Sequence, residues 1–200
     1  MELSMSTASQ DCKRCLHADR FKRRDMQFNY YSDSDVLMPP IRRQIANRWM
    51  RRVCDEMNRT VGEINFQYTD DEGILRANKA FLQHDYYTDV ITFPRESERE
   101  GDDAIYGDIL ISIDTVATNA QELGVPFEQE LYRVMIHGIL HLLGIDDQTD
   151  SERELMHMAE DRALMQLVEM LEGRDFFLSQ GGAKFFKYVD KVCADYQAAN

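Results

Sequence analysis

The chain has 200 residues, 44% of them hydrophobic, with ten Gly and four Pro. That supplies one core and is too little Gly and Pro for a fibrous or disordered chain. The net charge of −13 divides into +4 over residues 1–60 and −17 over the remainder. Bulk charge therefore excludes general attraction to nucleic acid, and any RNA contact has to be local.

No apolar run reaches the roughly 20 residues of a membrane span. The first ten residues lack the layout of a secretion signal, so a cytoplasmic protein with no membrane partner is expected. Cys12, Cys15, Cys54 and Cys193 show no repeating spacing, which fits a reducing compartment. Cys12-Lys-Arg-Cys15 is half of a zinc knuckle, and an idle thiol pair is the simpler reading.

Residues 1–25 are polar and end in Lys22, Arg23 and Arg24; they read as a flexible basic extension. Met26 to Tyr31 reads as a first strand. Pro39 and Pro40 open a predicted helix to about Asn58, with Ile41, Ile45, Trp49, Val53 and Met57 on one face. Its arginines (Arg42, Arg43, Arg48, Arg51, Arg52) form either a solvated or a phosphate-contacting face, the former being simpler. Gly62 to Thr69 alternates as a second strand, and Asp70 to Gln83 suits a short helix holding Leu75, Phe81 and Leu82. Val90 to Phe93 is a strand expected to stop at Pro94, followed by a charged loop over Arg95 to Asp103.

Gly107 to Ile113 is a fourth strand, and Asp114 is placed to cap a helix ending near Leu123. A long helical pattern runs from Pro126 to Leu143 and stops at Gly144. Thr149 to Ser151 restart a helix, with Glu152 and Glu154 in capping-box range and apolar residues through Leu171. Gly181-Gly182 reads as a hinge. The stripe Phe185, Val189, Val192 and Tyr196 then marks a docked helix within a C-terminal extension, residues 172–200. Four strands and several helices without strict alternation predict an α/β (α+β) domain over residues 26–171.

The chemistry concentrates in Val134-Met-Ile-His137-Gly-Ile-Leu-His141-Leu-Leu-Gly-Ile-Asp146-Asp147. His137 and His141 leave one helix face a turn apart, and their apolar neighbours mean that this helix is buried. Two imidazoles in an apolar wall need partners, and a divalent metal satisfies both nitrogens at once. Gly144 permits a turn that brings Asp146 or Asp147 back towards the pair. The bland alternative is two core histidines bonded to carbonyls or carboxylates. Gly138 stands where zinc proteases of the H-E-x-x-H type carry their general base. His17 and His157 read as idle.

His137-Gly-Ile-Leu-His141-Leu-Leu-Gly-Ile-Asp146-Asp147 resembles the H-G-x-L-H-L-x-G-x-D-H signature of the YbeY endoribonucleases, the ribosomal RNA maturation factors. Asn78 to Pro94, with Asp85 and Thr88-Asp89-Val-Ile-Thr-Phe-Pro94, is similar to a second block of that family. Gly107-Asp108-Ile-Leu-Ile-Ser112 is similar to its G-D-I-x-I-S strand. The resemblance covers roughly residues 26–171. It implies a small mixed four-stranded sheet flanked by helices and a zinc-dependent, single-strand-specific RNA hydrolase. Small-subunit ribosomal RNA maturation and ribosome quality control are the implied roles, with ribosomal RNA, the small subunit or ribosomal proteins as partners.

Two positions depart from the family pattern. Its third His falls at Asp147, so His137, His141 and Asp147 become the implied metal ligands, a set that admits Mn2+ besides Zn2+. Its basic residue before the T-D-V block falls at Leu82, which passes phosphate contact to Lys79, Arg76 or the first helix. Asp146 or Asp89 is expected to orient a ligand imidazole, and Asp108 to serve structure. The alternatives are a non-catalytic ribosome assembly factor with a structural metal, and a metallohydrolase of another substrate such as a peptide.

Overall fold

A computed structural model describes residues 27–97, 103–177 and 179–199. Four strands, β1 (Gln27–Ser32), β2 (Thr60–Thr69), β3 (Val90–Arg95) and β4 (Ala104–Ser112), form one sheet in the order β1-β2-β4-β3. The β1–β2 and β2–β4 pairs are parallel and β3–β4 is antiparallel. Ile64, Phe66 and Tyr68 of β2 and Ile105, Ile109 and Ile111 of β4 all point to the same buried face. Glu63, Asn65, Gln67 and Asp108 lie between them and point the other way. The fold is thus the mixed α/β arrangement expected, with helices flanking a four-stranded sheet.

Helix α1 (Arg43–Glu56) lies against β2, and α4 (Phe127–Leu142) lies against β3 and β4. Helix α5 (Asp150–Leu171) packs on both helices, and the Trp49 indole N–H donates to the Ala163 carbonyl at 2.7 Å. Helices α2 (Asp71–Ala77), α3 (Ile113–Leu123) and α6 (Ser179–Ala199) complete the fold, α6 resting on α3.

Several local expectations are corrected. Helix α1 starts at Arg43 and not at Pro39, because Ile41 is drawn into a β-bridge with Phe177. Met57 lies beyond that helix and is 37% exposed. Strand β3 continues through Pro94: it is an edge strand, so a residue without N–H costs no ladder bond on its open side. The helix from Asp70 widens after Ala77 into a π-helical turn, Asn78–Leu82, ending at left-handed Gln83. Phe81 and Leu82 therefore emerge at the surface.

Ser112, not Asp114, caps α3 by accepting from the Thr115 N–H, and Asp114 instead accepts the Asp71 N–H. Gly181 and Gly182 lie inside α6, where an unbroken helix replaces the expected hinge. Phe185, Val189 and Cys193 form its buried stripe, whereas Tyr196 is 43% exposed. Residues 1–26 and 98–102, which hold the basic extension, the Cys12/Cys15 pair and most of the charged loop, lie outside the described residues.

The seating of α4 depends on two glycines. A Cβ on Gly138 would meet Ile109 Cγ2 at 2.8 Å and Thr92 Oγ1 at 3.3 Å; one on Gly107 would meet Leu142 Cδ2 at 2.6 Å. Each large side chain of one element thus covers a glycine of the other, and α4 lies directly on the strands. Gly138 is required by packing, and a glutamate there would have to occupy the volume of Ile109.

An alanine at position 138 should gain about 1 kcal/mol of helix propensity and lose about 1–3 kcal/mol to overpacking against β-branched Ile109. We expect Gly138→Ala to lower the urea midpoint; an unchanged or raised midpoint would show that the contact can relax freely.

Candidate active site

His137 and His141 project from the last two turns of α4 into a cleft of about 630 Å³. Its far wall is the segment from Asn78 to Pro94, and its rim is the turn after α4. Gly144 makes that turn with φ +88°, and the Ile145 N–H bonds back to the Leu140 carbonyl at 3.0 Å. Arg153, in the first turn of α5, then donates to the carbonyls of Asp147 (3.1 Å) and Gln148 (2.9 Å). A capping box between Thr149 and Glu152, without Glu154, starts that helix. These local bonds return Asp147 to the histidines.

The Nε2 atoms of His137 and His141 stand 2.9 Å apart, and Asp147 Oδ2 lies 3.7 and 3.9 Å from them. Among the described residues, these three form the one His/Cys/Asp/Glu group compact enough to hold an ion, with ligand atoms within 4.8 Å of one another. Tetrahedral ligands about 2.0–2.2 Å from zinc stand roughly 3.3–3.5 Å apart, so the spacing fits.

The opposite ring atoms show how the two inner nitrogens are left to face each other. His137 Nδ1 lies 2.7 Å from Glu160 Oε1, and His141 Nδ1 lies 2.9 Å from the Ile145 carbonyl. A carboxylate and a carbonyl only accept, so both Nδ1 atoms carry the protons and both Nε2 atoms present lone pairs to each other. Facing lone pairs at that distance repel unless a shared proton or a metal ion lies between them. Two imidazole nitrogens and one carboxylate oxygen, each ring oriented from behind, form a donor set suited to a divalent metal with an open position.

Burial is the largest influence on His137 and acts downward. The Glu160 carboxylate overcomes it, with Asp89 and Asp147, and raises the pKa above the ordinary histidine value. Burial followed by the charge of His137 lowers that of His141. Such opposite shifts are what two facing nitrogens that share one proton produce. Burial acts upward on Glu160, yet its bonds to His137, Arg133 and His157 hold it below the usual glutamate value.

Sequence reasoning missed Glu160. It is 2% exposed, and its second oxygen lies 3.1 Å from Arg133 and 3.4 Å from His157. The signal was present: Glu160 interrupts the apolar stripe Met156, Ala163, Leu164 and Leu167 of α5. His157, read as idle, belongs to this network. His84 and Tyr86, which line the cleft, come from an aperiodic segment that gave no signal. Asp146 is exposed at the rim, and Asp89 accepts from Asn119 and Thr88 on the opposite wall. Neither orients an imidazole as expected, because both Nδ1 positions are taken.

Asp108 lies outside the cleft and pairs with Arg95 and Asn65. Of the basic residues expected to replace the family's at Leu82, Lys79 is tied to Asp85 at 2.7 Å. Arg43 and Arg51 lie over the Tyr30 and Phe28 rings. None of them, nor Arg76, lines the cleft.

Glu130 lies two turns before His137 on α4, 4% exposed, with Oε2 3.7 Å from Arg133 and without a hydrogen-bond partner. Burial raises its pKa, Arg133 opposes this, and Asp89 and Glu160 add to it. A carboxyl whose folded pKa is raised favours the fold when protonated, so stability falls as pH rises from the unfolded value of about 4.3 through the folded one. Urea midpoints of Glu130→Gln should match the wild type in acid and exceed it increasingly as pH rises through that window. A difference independent of pH would refute the assignment.

The sequence family model described as "Endoribonuclease YbeY" matches residues 32–168. An endoribonuclease YbeY of Porphyromonas gingivalis (strain W83) is 46% identical over 145 residues, 72% of this chain and 93% of the relative. That of Bacteroides thetaiotaomicron is 45% identical, covering 67% and 95%. The solution structure of TM1509 from Thermotoga maritima superimposes with a TM-score of 0.50 at 25% identity, covering 70% of this chain and 89% of that one. The matched residues include three of the four strands, the histidine-bearing helix and Glu160. The chain belongs to the endoribonuclease YbeY family.

Proposed function

We propose that this protein is a metal-dependent endoribonuclease that cuts single-stranded RNA, with ribosomal RNA of the small subunit as its substrate in maturation and quality control. The observation that carries the metal dependence is the pair of inward-facing Nε2 lone pairs 2.9 Å apart beside Asp147, with both Nδ1 atoms engaged. His137, His141 and Asp147 would hold one ion, Zn2+ in the first instance and Mn2+ as the alternative. The names borne by the relatives support the RNA substrate and give the assembly-factor alternative no support. A protease of the H-E-x-x-H type is disfavoured because Gly138 packs against the sheet.

A bound ion there supplies Lewis acidity to a phosphodiester oxygen and to the attacking water. The chain's own groups do the rest. Glu160 holds the His137 ring through its Nδ1 proton, and Ile145 holds that of His141, so both lone pairs keep their direction. Arg133 supports Glu160 from behind, at 3.1 Å. Asp146, the rim carboxylate, would take the proton of the water that adds to phosphorus and return it to the ribose oxygen that leaves as its P–O bond breaks. The cleft is open on one side, as an extended strand requires.

Purified protein should bind a single divalent ion by metal analysis and cleave a labelled single-stranded RNA. The His137→Ala/His141→Ala double variant should do neither while keeping its circular dichroism. Equal cleavage by both would assign the activity to a contaminant and sink the proposal. Separately, Asp147→His should shift the ratio of zinc to manganese affinity towards zinc, since imidazole is the softer ligand. An unchanged ratio by competition calorimetry would show that Asp147 is not a ligand. Glu160→Ala should weaken metal affinity by about 10–100-fold.

A further inference from the structure

The wall facing the metal ligands carries a feature that the chemistry above does not use. The rings of His84 and Tyr86 stack with centroids 5.1 Å apart and planes 22° from parallel, and the Tyr86 hydroxyl lies 2.9 Å from His84 Nδ1. Both rings line the same cleft as His137 and His141, and Tyr86 is 56% exposed. Their backbone is pinned from beneath by Asn78, 1% exposed, whose side-chain amide donates to the Tyr86 carbonyl at 2.8 Å. The Asn78 carbonyl accepts the His84 N–H at 3.3 Å. The π-helical turn that holds Asn78 therefore presents a flat aromatic surface to the cleft, already ordered before any ligand arrives.

Charge indicates what this surface is for. Among the described residues, no Lys or Arg lines the cleft, whereas three aspartates do. Among the described residues a strand entering it meets no side-chain cation to hold its phosphates, so the lining offers affinity beyond that of the ion chiefly through the bases. Stacking on aromatic rings is the sequence-tolerant way to hold an unpaired base.

Building on the endoribonuclease reading, we propose that His84 and Tyr86 form a stacking subsite for an unpaired nucleobase of the strand being cut. A base already paired and stacked in a duplex cannot offer its face to the platform, so the subsite also selects for single strands. With no Lys or Arg among the described residues that line the cleft, binding through this subsite depends only weakly on salt.

The test uses the zinc-loaded full-length protein and a short single-stranded RNA containing 2-aminopurine, whose fluorescence is quenched on stacking. Wild type should quench the probe with a shallow dependence of affinity on salt. Tyr86→Ala and His84→Ala should each weaken binding about tenfold and raise KM more than they lower kcat. Tyr86→Phe should restore quenching and affinity, because the ring and not the hydroxyl carries the stack. Zinc content and melting temperature should match the wild type in all three, both side chains being exposed.

Wild-type quenching and KM in both alanine variants would overturn the platform and leave the nuclease assignment standing. A steep salt dependence, as for several phosphate contacts, would overturn it too. A wild-type protein that neither binds nor cuts the RNA would overturn the nuclease reading and the platform with it.

Discussion

The direct seating of one helix on two strands governs the rest of this structure. Gly138 lies against Ile109, and Leu142 covers Gly107, so at each contact a single side chain separates α4 from the sheet. Such a contact fixes position more tightly than a layer of long side chains, because close-packed backbones have little room to slide. The next residues along that helix, His137 and His141, consequently reach a set place in the cleft beside β3. Their mutual spacing comes from the helical period and from the partners that hold each ring, and the seating of the helix decides where in the cleft the pair lies.

A second constraint comes from behind the site. Polar rings in an apolar wall are costly unless bonded, and this fold meets that cost with one buried carboxylate and one backbone carbonyl. Glu160 reaches His137 from α5 and is itself neutralised by Arg133 of α4. The arrangement holds both ring protons on the outer nitrogens and leaves the inner pair unmatched. The polar groups satisfied on one side of the rings thus leave two nitrogens and Asp147 on the other side as a set that could hold an ion.

The same economy shapes the cleft as a whole. Much of the chain is strongly acidic, and several of its described basic residues are engaged in structure: Arg133 with Glu160, Arg153 with the turn carbonyls, Lys79 with Asp85, and Arg43 and Arg51 with the β1 aromatics. The described cleft lining therefore offers a polyanion no basic groove, and its titratable groups are three aspartates, the two histidines of the helix and the His84 and Tyr86 rings.

How much could be read in advance depended on the range of each interaction. The pair His137/His141 and the turn at Gly144 are governed by helical period and turn geometry within eleven residues, so spacing located them; it left Asp146 or Asp147 to return, and the family resemblance pointed to Asp147. The alternating strands and apolar stripes likewise exposed the mixed sheet and its main helices. Glu160, Arg153 and the His84–Tyr86 pair escaped because each acquires its role from a neighbour on another element. The continuation of β3 through Pro94 became readable only once β3 was known to be an edge strand. Gly138, read in one dimension as a missing catalytic base, is in three dimensions the gap that lets a helix lie on a strand. Local pattern is written by nearest neighbours along the chain, whereas which polar atoms are buried together is settled by packing.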